Sequence, residues 1–335
     1  MPCYEWIIEK GIGETRAALF SDGEIVKARI DPEEQIIRAG SILDVRLSQI
    51  TNATGRALAV TEDDQAIWVN GVPRQITQGS SIRVEITRER VFERGIIKPP
   101  HARAVTSDTP IQAGLTLEER IKARGYPVSY QSAHQFDRLE NAGWSEIIEQ
   151  AYTGDIDFSG GRLRMALTPA LTLFDIDGHL EALDLALKGT EAAAKAITCF
   201  DIGGSIGLDL PGLSGKAARQ KVAEWIDKYL PPPFDRTGVN GFGFLQIIRP
   251  KRRPSLPEQI AAQPIAHRAR QLLRQASRAK GAGKRTLTAS SLVIDYLERH
   301  PEWIKALTRL TAAEIVLHPE PLRSIYESDV GVEFP

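Results

Sequence analysis

Cysteine is nearly absent from this chain: Cys3 and Cys199 are the only two among 335 residues. Two thiols are too few for a disulfide framework or a four-thiolate zinc site. Net charge is missing as well, with 42 Lys and Arg against 43 Asp and Glu, so the overall balance names no partner. No run approaches the roughly 18 apolar residues of a spanning helix. The opening Met1-Pro2-Cys3-Tyr4-Glu5-Trp6 has no basic start followed by an apolar core, so no signal peptide is expected. The six histidines show no spacing that pairs them, no Gly-rich phosphate loop is present, and no internal repeat is visible. These absences leave a soluble, cytoplasmic protein that meets no membrane. Its length suffices for a sizeable core and for two or three domains.

Against that background two acidic strand ends stand out. Leu171-Thr172-Leu173-Phe174-Asp175-Ile176-Asp177-Gly178 and Gly203-Gly204-Ser205-Ile206-Gly207-Leu208-Asp209 are short apolar runs ending in carboxylates, the pattern of buried strands delivering acid to a sheet edge. Side chains alternate along a strand, so Asp175 and Asp177 leave the same face. Like charges held together are costly unless a cation or a hydrogen-bond network compensates them. Mg²⁺, held by one or two carboxylates plus water, is the simplest solution. Acids after a strand also cap turns and helices, and that plainer reading stays open for each motif taken singly.

The rest of the chain falls into segments. Residues 1–35 predict short strands at Trp6–Ile8, Thr15–Phe20 and Ile25–Ile30, with the hairpin signal Asp22-Gly23. Residues 36–100 predict further strands at Ile42–Ile50, Arg56–Val60, Ala66–Val69 and Ile82–Thr87. Turns punctuate them at Asn52-Ala53-Thr54-Gly55, Asn70-Gly71 and Gln78-Gly79-Ser80, as in a small closed barrel of OB type. Residues 101–130 read mostly as a linker, with a helix at 116–124. Residues 131–250 predict an α/β layer. It has helices at 132–152, 180–198 and 216–229, the hairpin that leads into the Asp175 strand, the Asp209 strand and a strand at 242–248. In the first of these helices Phe136, Leu139, Trp144, Ile147, Ile148 and Tyr152 form an apolar stripe. Residues 286–335 read as a small αβ module.

Residues 251–285 form a basic connector. From Arg249 to Arg285 there are eleven cations and a single acid, Glu258. Such local asymmetry fits a surface that tracks phosphates, and equally a solvated helix face. Trp68, with Arg83, Arg88, Arg90, Arg94 and Lys98 later in the barrel segment, is the aromatic-and-cation pairing by which OB-type faces stack single strands. A core role for Trp68 is the alternative.

Taken in order, these pieces resemble the ribonuclease E/G endoribonucleases. Trp6 to Ile30 resembles that family's ribonuclease-H-like opening strands, and the barrel its inserted RNA-binding OB domain. Ser159-Gly160-Gly161-Arg162-Leu163 before Thr168-Pro169-Ala170-Leu171-Thr172 resembles its S-G-G…T-E-A-L-T run. Phe174-Asp175-Ile176-Asp177 stands at its I-D-(I/V)-N metal motif, and Thr190-Glu191-Ala192-Ala193 at its N-x-E-A-A helix. Ile202 to Asp209 resembles its L-G-G-x-I-V-I-D strand. Gly241-Phe242-Gly243-Phe244-Leu245-Gln246 through Pro254-Ser255-Leu256 resembles R-F-G-L-L-E…S-P-S-L.

The resemblance implies a metal-dependent endoribonuclease that cuts single-stranded RNA by hydrolysis to 5′-phosphate and 3′-hydroxyl ends, in RNA processing or decay. Asp175 and Asp209 would hold Mg²⁺ or Mn²⁺, which activates water and stabilises charge on the scissile phosphate. Asp177 would orient the attacking water or bind the ion through water. Expected RNA contacts are Trp68, Arg83, Arg88, Arg90, Lys98, Arg162, Arg249, Lys251, Arg252 and Arg253. The departures also carry implications. Asp177 replaces the family's Asn, Gly212 replaces a further acid, and Gly241 replaces the Arg that assists 5′-phosphate sensing. The chain is too short for the V-R-T-A-like sensor, and Gln263-Pro264-Ile265-Ala266 stands where a C-P-x-C zinc link would join two subunits. A compact relative is implied, without 5′-end sensing or structural zinc, whose homodimer, if formed, lacks the zinc link. The rival is a catalytically degenerate RNA-binding protein on the same scaffold.

Overall fold

The computed structural model describes residues 3–34, 37–51, 55–93 and 96–333. The expected turn residues Asn52, Ala53 and Thr54 and the cation Arg94 lie outside the described residues. Within them the chain is a mixed α and β structure built on several sheets and one closed five-stranded barrel.

β1 (Tyr4–Lys10), β2 (Glu14–Ser21) and β3 (Glu24–Pro32) form an antiparallel meander. Asp22 and Gly23 both take positive φ, 52° and 89°, as a tight hairpin turn between right-twisted strands requires. The barrel follows: β4 (Ile42–Thr51), β5 (Arg56–Val60), β6 (Ala66–Asn70) and β7 (Ser81–Arg88). After a ribbon of β8 (Val91–Glu93) and β9 (Ile96–Lys98), β10 (His101–Ala104) lies between β6 and β7 and closes it. Val45, Leu47, Ala57, Ala59, Ile67, Val69, Val84 and Ile86 alternate inward as its core.

The stretch expected as a linker is structured. Besides the expected helix, which is α1 (Leu117–Lys122), opened by a Thr116–Glu119 capping box, it contains β10 and also β11 (Val128–Gln131), which runs parallel to β1. The helix expected over 132–152 is two shorter ones, α2 (Arg138–Asn141) and α3 (Trp144–Thr153), separated at Gly143, φ +85°. Leu139, Trp144 and Ile148 are buried as the stripe requires, but Phe136 precedes both helices and is exposed.

The second sheet has the order β12-β13-β14-β15-β17-β16. Its strands are β12 (Asp155–Phe158), β13 (Gly161–Leu167), β14 (Thr172–Gly178), β15 (Gly204–Asp209), β16 (Asp235–Arg236) and β17 (Phe244–Arg249). β14 and β15 are parallel, joined by α4 (Ala182–Cys199); α5 (Lys216–Tyr229) lies between β15 and β16. α4 lies close on the sheet at Gly189, where a Cβ would stand 2.4 Å from the Ile176 side chain. α4 also packs on β3, so Ile7, Phe20 and Ile30 of the first sheet share one apolar core with Phe174, Ile176, Ile206 and Leu208. Segments 1–35 and 131–250 thus share a core.

The basic stretch is not a loose connector. It folds as α6 (Leu256–Ala262) and α7 (Pro264–Arg278), and several of its cations point inward. Arg270 is 2% exposed and paired with Glu34. Arg274 and Arg278 reach the buried Glu9 at 2.8 and 2.5 Å and Asp137 at 2.8 and 3.2 Å. Arg16 joins Glu9 at 3.0 Å and Glu14 at 2.7 Å. Three of the eleven cations, Arg270, Arg274 and Arg278, therefore tie α7 to the acids Glu9, Glu34 and Asp137. The tail is β18 (Arg285–Ala289), α8 (Ser291–Glu298), α9 (Pro301–Thr311), β19 (Ile315–Pro319) and β20 (Ser328–Val332), a three-stranded sheet packed with α7, α8 and α9. No helix among the described residues is long and apolar enough to cross a membrane.

Candidate carboxylate site and nucleic-acid interface

The second sheet has two unlike faces. Leu163, Phe174, Ile176, Ile206, Leu208, Leu245 and Ile247 point to the buried side, against α4 and α5. Alternation sends the intervening residues to the other side. There Arg164, Asp175 and Asp209 stand in one row across β13, β14 and β15, each the register partner of the next. One step along, Asp177 is opposite Arg162. The two expected carboxylates, 34 positions apart in sequence, are thus neighbours on parallel strands.

Asp177 is close by but committed. Its carboxylate is 3.3 Å from the Arg164 guanidinium, both side chains being more than half exposed. Arg162 is likewise paired, with Asp157 at 2.6 Å. Partial burial raises the Asp175 pKa, and the neighbouring charges of Asp177 and Asp209 raise it further, with Arg164 opposing. Such a carboxylate is short of positive charge, and the donor set, hard oxygens on adjacent strands, fits a small divalent cation. Asp175 and Asp209 would supply two ligands, leaving the remaining positions to water or phosphate. Among the described residues no group of three or more His, Cys, Asp or Glu side chains is placed to hold a metal ion.

An apolar floor adjoins the carboxylates. Phe244 is the register partner of Asp209, and its ring lies over Gly207, where a Cβ would come within 2.5 Å. Any side chain at 207 would displace that ring. Two residues earlier Phe242 is 94% exposed. Its loop is fixed by Asn240, whose Oδ1 accepts from the backbone N–H of Phe242 at 2.9 Å and of Phe244 at 3.0 Å.

The barrel residues divide into two sets. Trp68 is not core: on β6 its neighbours Ile67 and Val69 point inward and Trp68 outward, under the Arg56 guanidinium at 4.3 Å. His101 of β10 is the register partner of Trp68 on β6 and of Arg88 on β7. Burial, with Arg88, Arg56 and Lys98 nearby, lowers the His101 pKa to about 4. Trp68 therefore sits in a cationic surround. Arg88 and Lys98 also line a cavity of about 370 Å³ with Thr168, Gly203, Ser205 and Lys251. Arg83 by contrast is held by Asp44 at 2.7 and 2.9 Å. Arg90 lines a mixed-charge cleft with Asp31, Glu34 and Glu89.

At the far end of β17, Arg249 donates to the Ile202 carbonyl and Lys251 pairs with Glu258. Arg253 lies 3.8 Å from Glu89, and Arg252 is exposed. The sequence reading missed Arg164, Arg56 and Phe242. Arg164 was within reach of it, because strand alternation places it with Arg162 opposite the two β14 acids. Of the two free thiols, Cys3 is exposed and Cys199 ends α4, where burial pushes its pKa up to about 11. No protein-family model matches this chain, and no curated protein matches it significantly.

Proposed function

We propose that the protein is a metal-dependent endoribonuclease of ribonuclease E/G type that hydrolyses single-stranded RNA to 5′-phosphate and 3′-hydroxyl ends. The observation that carries this reading is the register pairing of Asp175 with Asp209 on an open sheet face. In it, Asp175 and Asp209 hold Mg²⁺ or Mn²⁺. When bound, the ion supplies Lewis-acid stabilisation of charge developing on the scissile phosphate. Asp177 orients the attacking water, and its exchange between that task and Arg164 sets its availability. Trp68, on a barrel read as OB-type, stacks a base, and the cations near it neutralise backbone phosphates. Phe242 and Phe244 offer a second apolar surface beside the carboxylates. No separate zinc link is invoked.

A second reading, an RNA-binding protein without turnover, is favoured by one observation: Asp177 is ion-paired to Arg164 rather than directed to its neighbours. The two separate in one experiment. Purified protein is incubated with end-labelled single-stranded RNA over a titration of Mg²⁺. A nuclease gives saturable, ion-dependent cleavage with 3′-hydroxyl products, whereas a binder retains the RNA uncut at every concentration.

A further inference from the structure

A second cationic cavity, of about 240 Å³, lies at the opposite end of β15 from Asp209, roughly 16 Å away at the usual rise per strand residue. It is assembled from segments far apart in the chain: Lys27 and Arg29 of β3, Arg124 beyond α1, and Arg249 to Arg253 from the last residue of β17 onward. The loop Pro231–Pro233 forms one wall, and Asp201 is the sole carboxylate of the lining.

Its cations are of two kinds. Arg29 is structural: it pairs with Asp201 at 3.2 Å and donates to the carbonyls of Thr198 and Cys199 at the end of α4. Arg249, Lys251 and Arg253 have the partners described above. Lys27, Arg124 and Arg252 have no ion-pair partner among the described residues, although the cavity gathers them together. Partial burial of Lys27, and then Arg29 and Arg124 beside it, disfavour its charged form, and the one lining carboxylate, Asp201, opposes this only in part because Arg29, Arg253, Arg249 and Arg124 share it. Holding several like charges around a concave wall is unfavourable unless an anion enters, and guanidinium-rich linings match the geometry of phosphate oxygens.

We propose that this cavity is a binding site for a condensed or repeated phosphate anion, with Lys27, Arg124 and Arg252 as its principal contacts. The inference does not rest on cleavage at Asp175 and Asp209. The same phosphate chemistry is offered by adjacent backbone phosphates of RNA and by the chain of a nucleoside triphosphate.

The test is calorimetric titration with inorganic pyrophosphate, in metal-free buffer at fixed ionic strength. The unmodified protein should show one saturable site. Lys27→Gln combined with Arg124→Ala should weaken it by about tenfold or more, because charge-assisted hydrogen bonds are lost, without lowering the melting temperature. A charge-matched control, Arg103→Ala with Lys195→Gln, should retain the affinity. Displacement of pyrophosphate by an RNA with hydroxyl ends identifies backbone phosphates as the ligand, and displacement only by a nucleoside triphosphate identifies a free nucleotide. No saturable binding, equal weakening in the control, or displacement by neither competitor would overturn the proposal.

Discussion

Arg164 divides its attention between the two acids of β14: it is the register partner of Asp175, and its guanidinium is 3.3 Å from the carboxylate of Asp177. A cation so placed competes with any metal for the same negative charge. Because both members of the Arg164–Asp177 pair are well exposed, the pair contributes at most about 1 kcal/mol to stability. Arg164→Ala should therefore leave the denaturation midpoint nearly unchanged and lower the Mg²⁺ concentration giving half-maximal cleavage. An unchanged metal requirement would show that Arg164 does not compete.

Trp68 gives a separable prediction about RNA. It projects half-buried from the outside of the barrel under Arg56, away from the inward core of Ile67 and Val69, so Trp68→Ala should cost less stability than a core truncation. Its RNA affinity should fall by about 1–3 kcal/mol, the worth of one stacked base. Unchanged affinity in the still-folded variant would remove Trp68 from the interface.

The lock between α7 and the first sheet centres on Glu9, which faces Arg16, Arg274 and Arg278. Glu9→Ala leaves three guanidiniums clustered without their shared acid. The expected cost is about 3–5 kcal/mol, as for other broken buried ion pairs, read from chemical denaturation. A loss below about 1 kcal/mol would mean that the cluster behaves as a surface network.

Glu9 and two histidines, His267 and the partly buried His101, contribute to the response to acid. Burial alone would raise the Glu9 carboxyl, but Arg16, Arg274 and Arg278 outweigh it and hold its pKa at about 2. Its stabilisation is complete above the ordinary carboxylate value and is lost as pH falls toward 2. His267 of α7 is buried, and with Arg268, Arg16 and Arg270 nearby its pKa is lowered to about 3. The unfolded chain protonates this histidine near pH 6.5 and the folded chain does not, so stability declines from pH 6.5 downward. Melting temperatures should fall between pH 6.5 and 5, before most carboxylates titrate. His267→Phe should make that part of the curve shallower, with the remaining slope from His101, and an identical slope in the variant would exclude His267 as a source.

Much of the architecture was legible because it is written in local pattern. Asp22-Gly23, the strand at Ala66–Val69 and the span Lys216–Tyr229 each follow from short-range chemistry. What escaped was long-range. β10 (His-Ala-Arg-Ala) and β11 (Val-Ser-Tyr-Gln) have four residues each and no apolar run; they are strands because β6, β7 and β1 offer edges to pair with. The inward cations Arg270, Arg274 and Arg278 resembled a solvated basic stretch, since their acids lie up to 269 positions away. At the site, the two carboxylates were visible from their strand ends, whereas Arg164 and the cluster around Lys27 depend on which strands and loops become neighbours.

The most direct test of the central claim is the single-turnover cleavage rate of labelled single-stranded RNA in saturating Mg²⁺, compared among the unmodified protein, Asp175→Asn and Asp209→Asn, with RNA affinity measured in parallel. Losing a ligand that acts in the transition state should lower the rate by about two orders of magnitude or more while RNA binding changes little. Full cleavage by either variant, or no Mg²⁺-dependent cleavage by the unmodified protein, would contradict the assignment of this sheet face as a metal-dependent nuclease site.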